Sequence, residues 1–292
     1  MSSCIEILDL EQGSPEWLKF RQNHIGASDA PIILEKSPWT TPYQLWQMKL
    51  GLRPSPEEND AMRRGKEKEQ IARQEFIKEK QIRFEPVVVK NIKYPFLCAS
   101  MDGIASSVRN LIQEAVEIKV PGRLDHEAAL DGVIPEKYIP QLMHQMIVCD
   151  IEKIFYYSWN ESSSKIIEFH RDSNLEKVIL EKEKEFWNCI ENFKEPAFTE
   201  RDFVNMSNNP EWIIYSNSLK EASNRRKEAE RQEEEYRKKL IELADNQCCQ
   251  GNDLRLTKYV RKGNIDTKKI VLDYNIDEEK YRKDPIIGWR VS

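Results

Sequence analysis

The sequence predicts a protein of the α/β class. Its 292 residues combine short runs typical of strands with longer stretches of helical periodicity. The predicted strands cover residues 84–90, 96–100, 115–120, 153–159 and 166–170. The longer helical stretches cover residues 61–80, 135–150 and 174–193. Strands and helices thus occur together within the first 200 residues, which is typical of an α/β domain.

The composition is that of a soluble protein with a sizeable core, since 39% of the residues are hydrophobic and 33% are charged. No apolar run approaches a membrane span, and the amino-terminal residues have neither the basic nor the apolar segment of a signal peptide. The sequence therefore predicts a cytoplasmic protein without membrane association. A net charge of -5 disfavours a uniformly basic surface, but the 45 Lys and Arg residues leave room for a local basic channel.

A change in composition predicts a second module. From Leu219 to Asp245 the chain is charged almost all round, with many oppositely charged pairs four residues apart. Such a helix is usually a spacer or one wall of a contact with a partner. A strand pair around residues 262–264 and a short helix are expected after it. The predicted domains are therefore residues 1–200 and residues 201–292, the latter a helical and small β appendage.

The stretch from Cys98 to Pro121 carries the residues most suggestive of chemistry. Its first strand is expected to end at a turn, Asp102-Gly103, and the second, residues 115–120, alternates apolar and charged residues. Alternation places Glu117 and Lys119 on one face of that strand. If the two strands are neighbours, Asp102 meets them there. Two adjacent carboxylates suit Mg²⁺, and a lysine beside them can orient water; the alternative is a solvated ion pair.

Three further positions could contribute to such a site. Glu69, on the helix 61–80, could face inward as a third metal carboxylate, although most glutamates on such helices are simply solvated. Gln141, on the helix 135–150, shares a face with Gln145 and could reach the site. The alternative for both glutamines is a polar position on a half-buried helix.

The amino-terminal part suggests a phosphate pocket. Ser14 and Pro15 begin one helix, and Ser28 or Asp29 is placed to cap a second. Backbone N–H groups at a helix start, a serine hydroxyl and the nearby Arg21 together can bind a phosphate. The alternative is two helix caps and one surface arginine.

Six blocks, in order along the chain, resemble the YqaJ-type viral recombinase exonucleases, a family of PD-(D/E)xK nucleases that includes phage lambda exonuclease. The resemblance covers about residues 14–195, and the blocks are RQNHIGASDAPIIL, SPWTTPYQLWQMKLG, GKEKE, CASMDG, VEIKVP and YIPQLMHQM. It implies a restriction-endonuclease-like core, in which helices flank a central mixed β-sheet. The chain departs from the family pattern at Met101, where proline is usual, and at Met143, where a second glutamine is frequent.

The resemblance also implies roles for individual residues. Metal ligands would be the side chains of Asp102, Glu117 and Glu69 and the backbone carbonyl of Ile118. Lys119 would be the catalytic lysine, with Gln141 beside it. The pocket for a 5′-phosphate would be formed by Arg21, Ser28 and Ser100.

The function that follows is an Mg²⁺-dependent 5′-to-3′ exonuclease, with Mn²⁺ as an alternative ion, acting on ends of linear double-stranded DNA. Its 3′ overhangs would serve a single-strand annealing recombinase, and the family implies a homotrimer. Two alternatives are a structure-specific DNA endonuclease on the same core and a non-catalytic DNA-binding protein.

Overall fold

The structure, a computed structural model, describes residues 5–54, 56, 60–106, 112–288 and 290. The chain divides into two compact units, Met1–Phe203 and Val204–Ser292. The assignment of residues 1–200 to a nuclease domain and of residues 201–292 to a separate module stays a prediction.

The first unit is built on a mixed sheet. Among the described residues its strands number six, and their order in the sheet is their order in the chain. They are β1 (Ile5–Leu8), β2 (Glu85–Asn91), β3 (Cys98–Ser106), β4 (Ile112–Lys119), β5 (Lys153–Trp159) and β6 (Ser164–His170). All neighbouring strands are antiparallel except β4 and β5, which are parallel.

The helices of this unit precede, interrupt and follow the sheet. They are α1 (Pro15–Gln22), α2 (Ala30–Ile33), α3 (Pro42–Lys49), α4 (Asp60–Lys80), α5 (Arg123–Leu130), α6 (Ile139–Cys149) and α7 (Ser173–Glu191). A parallel strand pair needs a crossover connection, and α5 and α6 lie in the one that joins β4 to β5. As predicted, the Ser14 side chain caps α1 by accepting a hydrogen bond from the Trp17 N–H. None of the helices in the described part of the chain is long and apolar enough to cross a membrane.

Two apolar layers cover the two faces of the sheet. On one face, Ala72 and Phe76 of α4 pack against Val116 and Ile118 of β4. On the other face, the buried side of α6 packs with β2, β3 and α7. The predicted fold class, a central mixed sheet flanked by helices, is confirmed.

The turn predicted at Asp102-Gly103 is wrong, because β3 runs through both residues to Ser106. A Cβ atom on Gly103 would lie 2.9 Å from Cγ1 of Val116 and 3.0 Å from Cβ of Phe84. The glycine is therefore needed for close packing inside the sheet. Glu85 pairs with Ile104, whereas Val87 pairs with Met101, so β3 carries one extra residue at this point. Such a bulge changes the direction of the neighbouring side chains, and Asp102 is one of them.

The second unit contains a long helix, α8 (Pro210–Ala244), which begins nine residues before the predicted Leu219. It continues with β7 (Cys249–Gly251), β8 (Leu254–Leu256) and α9 (Thr267–Asp273). The strand pair predicted around residues 262–264 is displaced, because the turn lies at Asn252 and Asp253. Both have positive φ, 49° and 60°, as a two-residue hairpin turn between right-twisted strands requires.

A buried ion pair joins α6, α7 and β3. His144 Nδ1 lies 2.5 Å from Glu183 Oε1, and His144 Nε2 donates to the Cys98 carbonyl at 2.8 Å. Both side chains are completely buried. Burial by itself lowers the pKa of His144, but the Glu183 carboxylate outweighs this, and the net pKa lies above its ordinary value. The imidazolium form, which donates from both ring nitrogens, matches these two contacts.

This pair predicts that stability depends on pH. The pKa of His144 is higher in the folded state than in the unfolded state. The contribution of the His144–Glu183 ion pair to the free energy of unfolding is therefore complete below the unfolded-state pKa of about 6.5, and it is lost as the pH rises through the folded-state pKa. We expect Glu183→Gln to lower the free energy of unfolding by about 3 kcal/mol at pH 6 and by progressively less at higher pH. Urea unfolding of both proteins across this range measures the difference. Glu168→Gln, which removes the exposed partner of His170, is the control, and a difference that stays constant with pH would contradict the assignment.

Candidate active site

Two carboxylates and a lysine meet where β3 lies beside β4. Glu117 and Lys119 project from the same face of β4, and the Lys119 ammonium forms an ion pair with the Glu117 carboxylate. Glu117 is only 2% exposed. Asp102 Oδ2 accepts a hydrogen bond from the backbone N–H of Ile118 at 2.8 Å, which ties its carboxylate to β4. The structure thus brings Asp102 to two residues that follow it by 15 and 17 positions in the chain.

The charges in this cluster shift one another's protonation. Burial, and then the negative charges of Glu117 and Glu69, raise the pKa of Asp102 well above its usual range. Burial lowers the pKa of Lys119, but Glu117 and Asp102 outweigh this effect and leave the pKa above its ordinary value. Two carboxylates with one lysine therefore carry an excess of negative charge, which an additional cation would relieve.

Two glutamines of α6 hold the Glu117 carboxylate. Gln141 Nε2 donates to Oε1 at 2.6 Å, and Gln145 Nε2 donates to Oε2 at 2.5 Å. Residues four positions apart lie on one face of a helix, which explains why both reach the same side chain. The buried amide oxygen of Gln145 accepts no hydrogen bond within the described part of the chain.

Glu69 lies near the cluster but has a different partner. Its carboxylate forms an ion pair with Arg73, one turn later on α4. Arg73 Nε also donates to the backbone carbonyl of Asp102 at 2.5 Å, so this arginine connects α4 to β3 beside the acids. The role of Glu69 as a metal ligand stays a prediction.

The oxygen atoms present suit a hard divalent cation. The two carboxylates of Asp102 and Glu117 are oxygen donors of the kind that Mg²⁺ and Mn²⁺ prefer. Burial and then the negative charge of Glu117 raise the pKa of Asp102, and a cation bound between the two carboxylates would counteract both effects. Across the described residues, no three His, Cys, Asp or Glu side chains are close enough together to hold a metal ion. A metal here would therefore depend on two carboxylates and on backbone or water oxygens for its remaining ligands.

A second polar cluster lies at the end of α1. Arg21 Nη2 donates to Ser28 Oγ at 2.7 Å, and the guanidinium lies 4.7 Å from the centroid of the Trp17 ring. The indole N–H of Trp17 in turn donates to Ser100 Oγ at 2.9 Å. The three residues assigned to a phosphate pocket are thus linked through Trp17, and we call Arg21, Ser28 and Ser100 the cradle.

The Asp29 carboxylate forms an ion pair with Arg21 of the cradle instead of a capping hydrogen bond with α2. Asp29 lies at the predicted N-cap position of this four-residue helix, but its side chain makes no capping hydrogen bond. The buried carboxylate accepts from the Gly26 N–H at 2.9 Å and from Lys49 Nζ at 2.6 Å. Burial raises the pKa of Asp29, but Lys49 and Arg21 outweigh it and hold the pKa below its usual range. The Asp29 carboxylate therefore stays ionised, 3.9 Å from the Arg21 guanidinium.

Strand β3 connects the cradle to the acids. Ser100 and Asp102 are two residues apart on it, a rise of about 7 Å. A phosphate bound at the cradle would therefore lie roughly one nucleotide away from the carboxylates.

Residues 16–152 match the family described as the YqaJ-like viral recombinase domain. We call this matched segment, which is less than half of the chain, the YqaJ-like domain. The protein YqaJ of Bacillus subtilis (strain 168) is 32% identical to the chain over 184 residues, which are 61% of this chain and 56% of that protein. A protein of Acanthamoeba polyphaga mimivirus is 26% identical over 197 residues, 60% of this chain and 36% of that protein. The chain thus spans about half the length of the first relative and about a third of the second.

The YqaJ-like domain also has a structural counterpart. An alkaline exonuclease (LHK-Exo) from Laribacter hongkongensis matches with a TM-score of 0.54 at 23% identity, over 62% of this chain and 94% of that one. The same figures hold for its structure in complex with dAMP. At this level of identity the match establishes the fold.

Sequence reasoning missed four residues of the candidate site: Trp17, Asp29 as an ion-pair partner, Lys49 and Arg73. Trp17 and Arg21 are four apart on α1, and this spacing on a short polar helix could have indicated the stacked pair. The same spacing relates Arg73 to Glu69 on α4. No spacing along one helix could have indicated Lys49, because Lys49 ends α3 and its partner Asp29 lies at the start of α2.

Proposed function

We propose that the YqaJ-like domain is a deoxyribonuclease, a 5′-to-3′ exonuclease that uses Mg²⁺, or Mn²⁺ in its place, to digest one strand of linear double-stranded DNA. The observation that carries the proposal is the position of Ser100 and Asp102 on one strand. Because Ser100 belongs to the cradle and Asp102 to the acid–lysine cluster, a terminal phosphate bound at the cradle would lie beside two acids and a lysine. An enzyme that holds the end of a strand next to its hydrolytic groups removes nucleotides from that end.

The side chains of Asp102 and Glu117 and the carbonyl of Ile118 would hold the metal ion, with Glu69 joining them on release from Arg73. When bound, the ion supplies Lewis-acid activation of the phosphodiester and lowers the pKa of a bound water. Gln141 and Gln145 fix the orientation of the Glu117 carboxylate by their hydrogen bonds. Lys119, beside that carboxylate, donates to the attacking water or to the phosphoryl oxygen on which negative charge accumulates.

The similarity of this chain to known proteins supports the proposal of an exonuclease. Residues 16–152 match the YqaJ-like viral recombinase domain, and the similar fold is that of a protein named as an alkaline exonuclease. Recombination by strand annealing needs single-stranded ends. The 3′ overhang left by a 5′-to-3′ exonuclease would therefore pass to a single-strand annealing recombinase. A homotrimer that encloses the DNA would keep the enzyme on its substrate, as the family resemblance implies.

Digestion of matched DNA substrates tests the proposal. The enzyme should release mononucleotides from 5′-phosphorylated linear duplex in Mg²⁺, leave closed circular duplex of the same sequence intact, and release nothing in EDTA. Nicking of the circle would indicate the structure-specific endonuclease instead. Binding without cleavage in Mg²⁺ or Mn²⁺ would indicate a non-catalytic DNA-binding protein.

A further inference from the structure

Helix α8 carries an apolar stripe with a seven-residue period. From residue 212 to residue 243, positions spaced alternately three and four apart fall on one line along the helix, about 47 Å long. These ten positions, which we call the α8 seam, are Trp212, Tyr215, Leu219, Ala222, Arg226, Ala229, Glu233, Tyr236, Leu240 and Leu243. Eight of them are apolar, aromatic or alanine, and all ten are exposed to solvent.

The exposure of this seam requires an explanation. Its large side chains lie at the two ends of the helix, and Tyr215 and Leu243 are 71% and 82% exposed. From residue 226 to residue 239 the helix carries ion pairs between residues three or four apart, as in the pairs of Arg231 with Glu228 and Lys239 with Glu235, which lie off the seam. Toward its two ends it also exposes Ile213, Ile214 and Ile241. A seven-residue apolar repeat, interrupted here by Arg226 and Glu233, is typical of a coiled-coil seam, and such a seam is stable only when a second helix covers it.

We propose that α8 pairs with α8 of a second copy of this chain in an antiparallel coiled coil. In antiparallel pairs the first apolar position of each heptad packs against the second one of its partner. If Trp212 faces Leu243 of the second copy, all ten positions find a partner. The layers are then Trp212 with Leu243, Tyr215 with Leu240, Leu219 with Tyr236, Ala222 with Glu233 and Arg226 with Ala229, each occurring twice.

The two charged residues of the seam select this arrangement. In the antiparallel register each charged side chain, Arg226 or Glu233, lies opposite an alanine, which leaves room for its stem. Arg226 then lies one turn from Glu233 of the second copy, so opposite charges approach across the seam. In a parallel pair each residue would face its own copy, and the layers would include Arg226 against Arg226 and Glu233 against Glu233. Like charges in contact at a seam disfavour that orientation.

The first test compares two neighbouring substitutions in the full-length chain. Leu240 lies on the seam and is 43% exposed, whereas Ile241 lies off it and is 53% exposed. Leu240→Glu places a charge in two layers of the pair, and we expect it to raise the dissociation constant by at least about a hundredfold. Light scattering at the same concentration should then show half the mass of the wild-type protein, and Ile241→Glu should keep the wild-type mass. Equal masses for wild type and Leu240→Glu, or halving by both substitutions, would overturn the proposal. Circular dichroism of each variant checks that α8 stays helical.

The second test determines the orientation. Two variants, Leu219→Cys and Tyr236→Cys, are made on a background in which four native cysteines are serine, namely Cys4, Cys189, Cys248 and Cys249. In the antiparallel pair a disulfide forms when the two variants are mixed, and neither forms one alone. A disulfide in Leu219→Cys by itself would establish the parallel pair, and no disulfide in any sample would exclude the seam as an interface.

Discussion

Replacement of Asp102 by alanine is expected to reduce DNA cleavage by about a thousandfold or more. Asp102 supplies one of only two carboxylates in the cluster. Charge stabilisation by a bound metal is worth several kcal/mol in a hydrolytic transition state, and about 4 kcal/mol corresponds to a thousandfold in rate. The measurement is the initial rate of nucleotide release from 5′-phosphorylated linear duplex in Mg²⁺.

The Asp102→Asn variant separates the charge of Asp102 from its structural contact. Asp102→Asn keeps an oxygen that can accept the Ile118 N–H bond but removes the charge, so it should fold normally and be as inactive as the alanine variant.

Lys119→Ala should also be inactive, yet it should still bind Mg²⁺ in calorimetry, because lysine is not a ligand. DNA affinity in Ca²⁺ should survive in all three, since most of it comes from phosphate contacts elsewhere. A tenth of the wild-type rate in Asp102→Asn would exclude this cluster as the catalytic centre.

The acid–lysine cluster could be predicted from sequence because its signal is local. Alternation along β4 fixes the face that Glu117 and Lys119 share, and the structure places Val116 and Ile118 on the opposite, buried face. The position of Asp102 was predictable only in part. The Asp-Gly pair suggests a turn, but Gly103 serves the close approach of Val116 and Phe84 across the sheet. A close contact between distant segments leaves no local pattern, so the bulge that directs Asp102 could not be anticipated.

Partners that belong to other elements were the least predictable part of the site. Ser14, Arg21 and Ser28 could be located from caps and spacing, whereas the Asp29–Lys49 ion pair depends on how α3 packs beside α2. The predicted position of the hairpin in the second unit was wrong for another reason. The residues Lys262-Gly263-Asn264 look like a turn, but Asn252 and Asp253 also tolerate positive φ. The local sequence favours a turn at both places, and only the pairing of the flanking residues into strands decides which turn forms.

The last prediction concerns the end of the DNA strand from which digestion starts. The cradle presents the Arg21 guanidinium with the hydroxyls of Ser28 and Ser100, and Trp17 holds it in place. A terminal phosphate carries more negative charge than an internal one, so the wild-type enzyme should prefer a 5′-phosphorylated end to a 5′-hydroxyl end. Losing a hydrogen bond to a charged group costs about 1.5–3 kcal/mol, which corresponds to about ten- to a hundredfold.

We therefore expect Arg21→Ala to slow digestion of 5′-phosphorylated duplex by about ten- to a hundredfold and to change the slower 5′-hydroxyl substrate much less. Lys19→Ala is the matched control, because it removes one positive charge from an exposed position of the same helix. Arg21→Lys should fall between wild type and Arg21→Ala, since lysine keeps the charge but cannot bind the phosphate through two parallel hydrogen bonds. The quantity to compare is the ratio of the two initial rates, phosphate over hydroxyl, for each variant. If Arg21→Ala slows both substrates equally, Arg21 has a structural role, and the direction of digestion must be set by other residues.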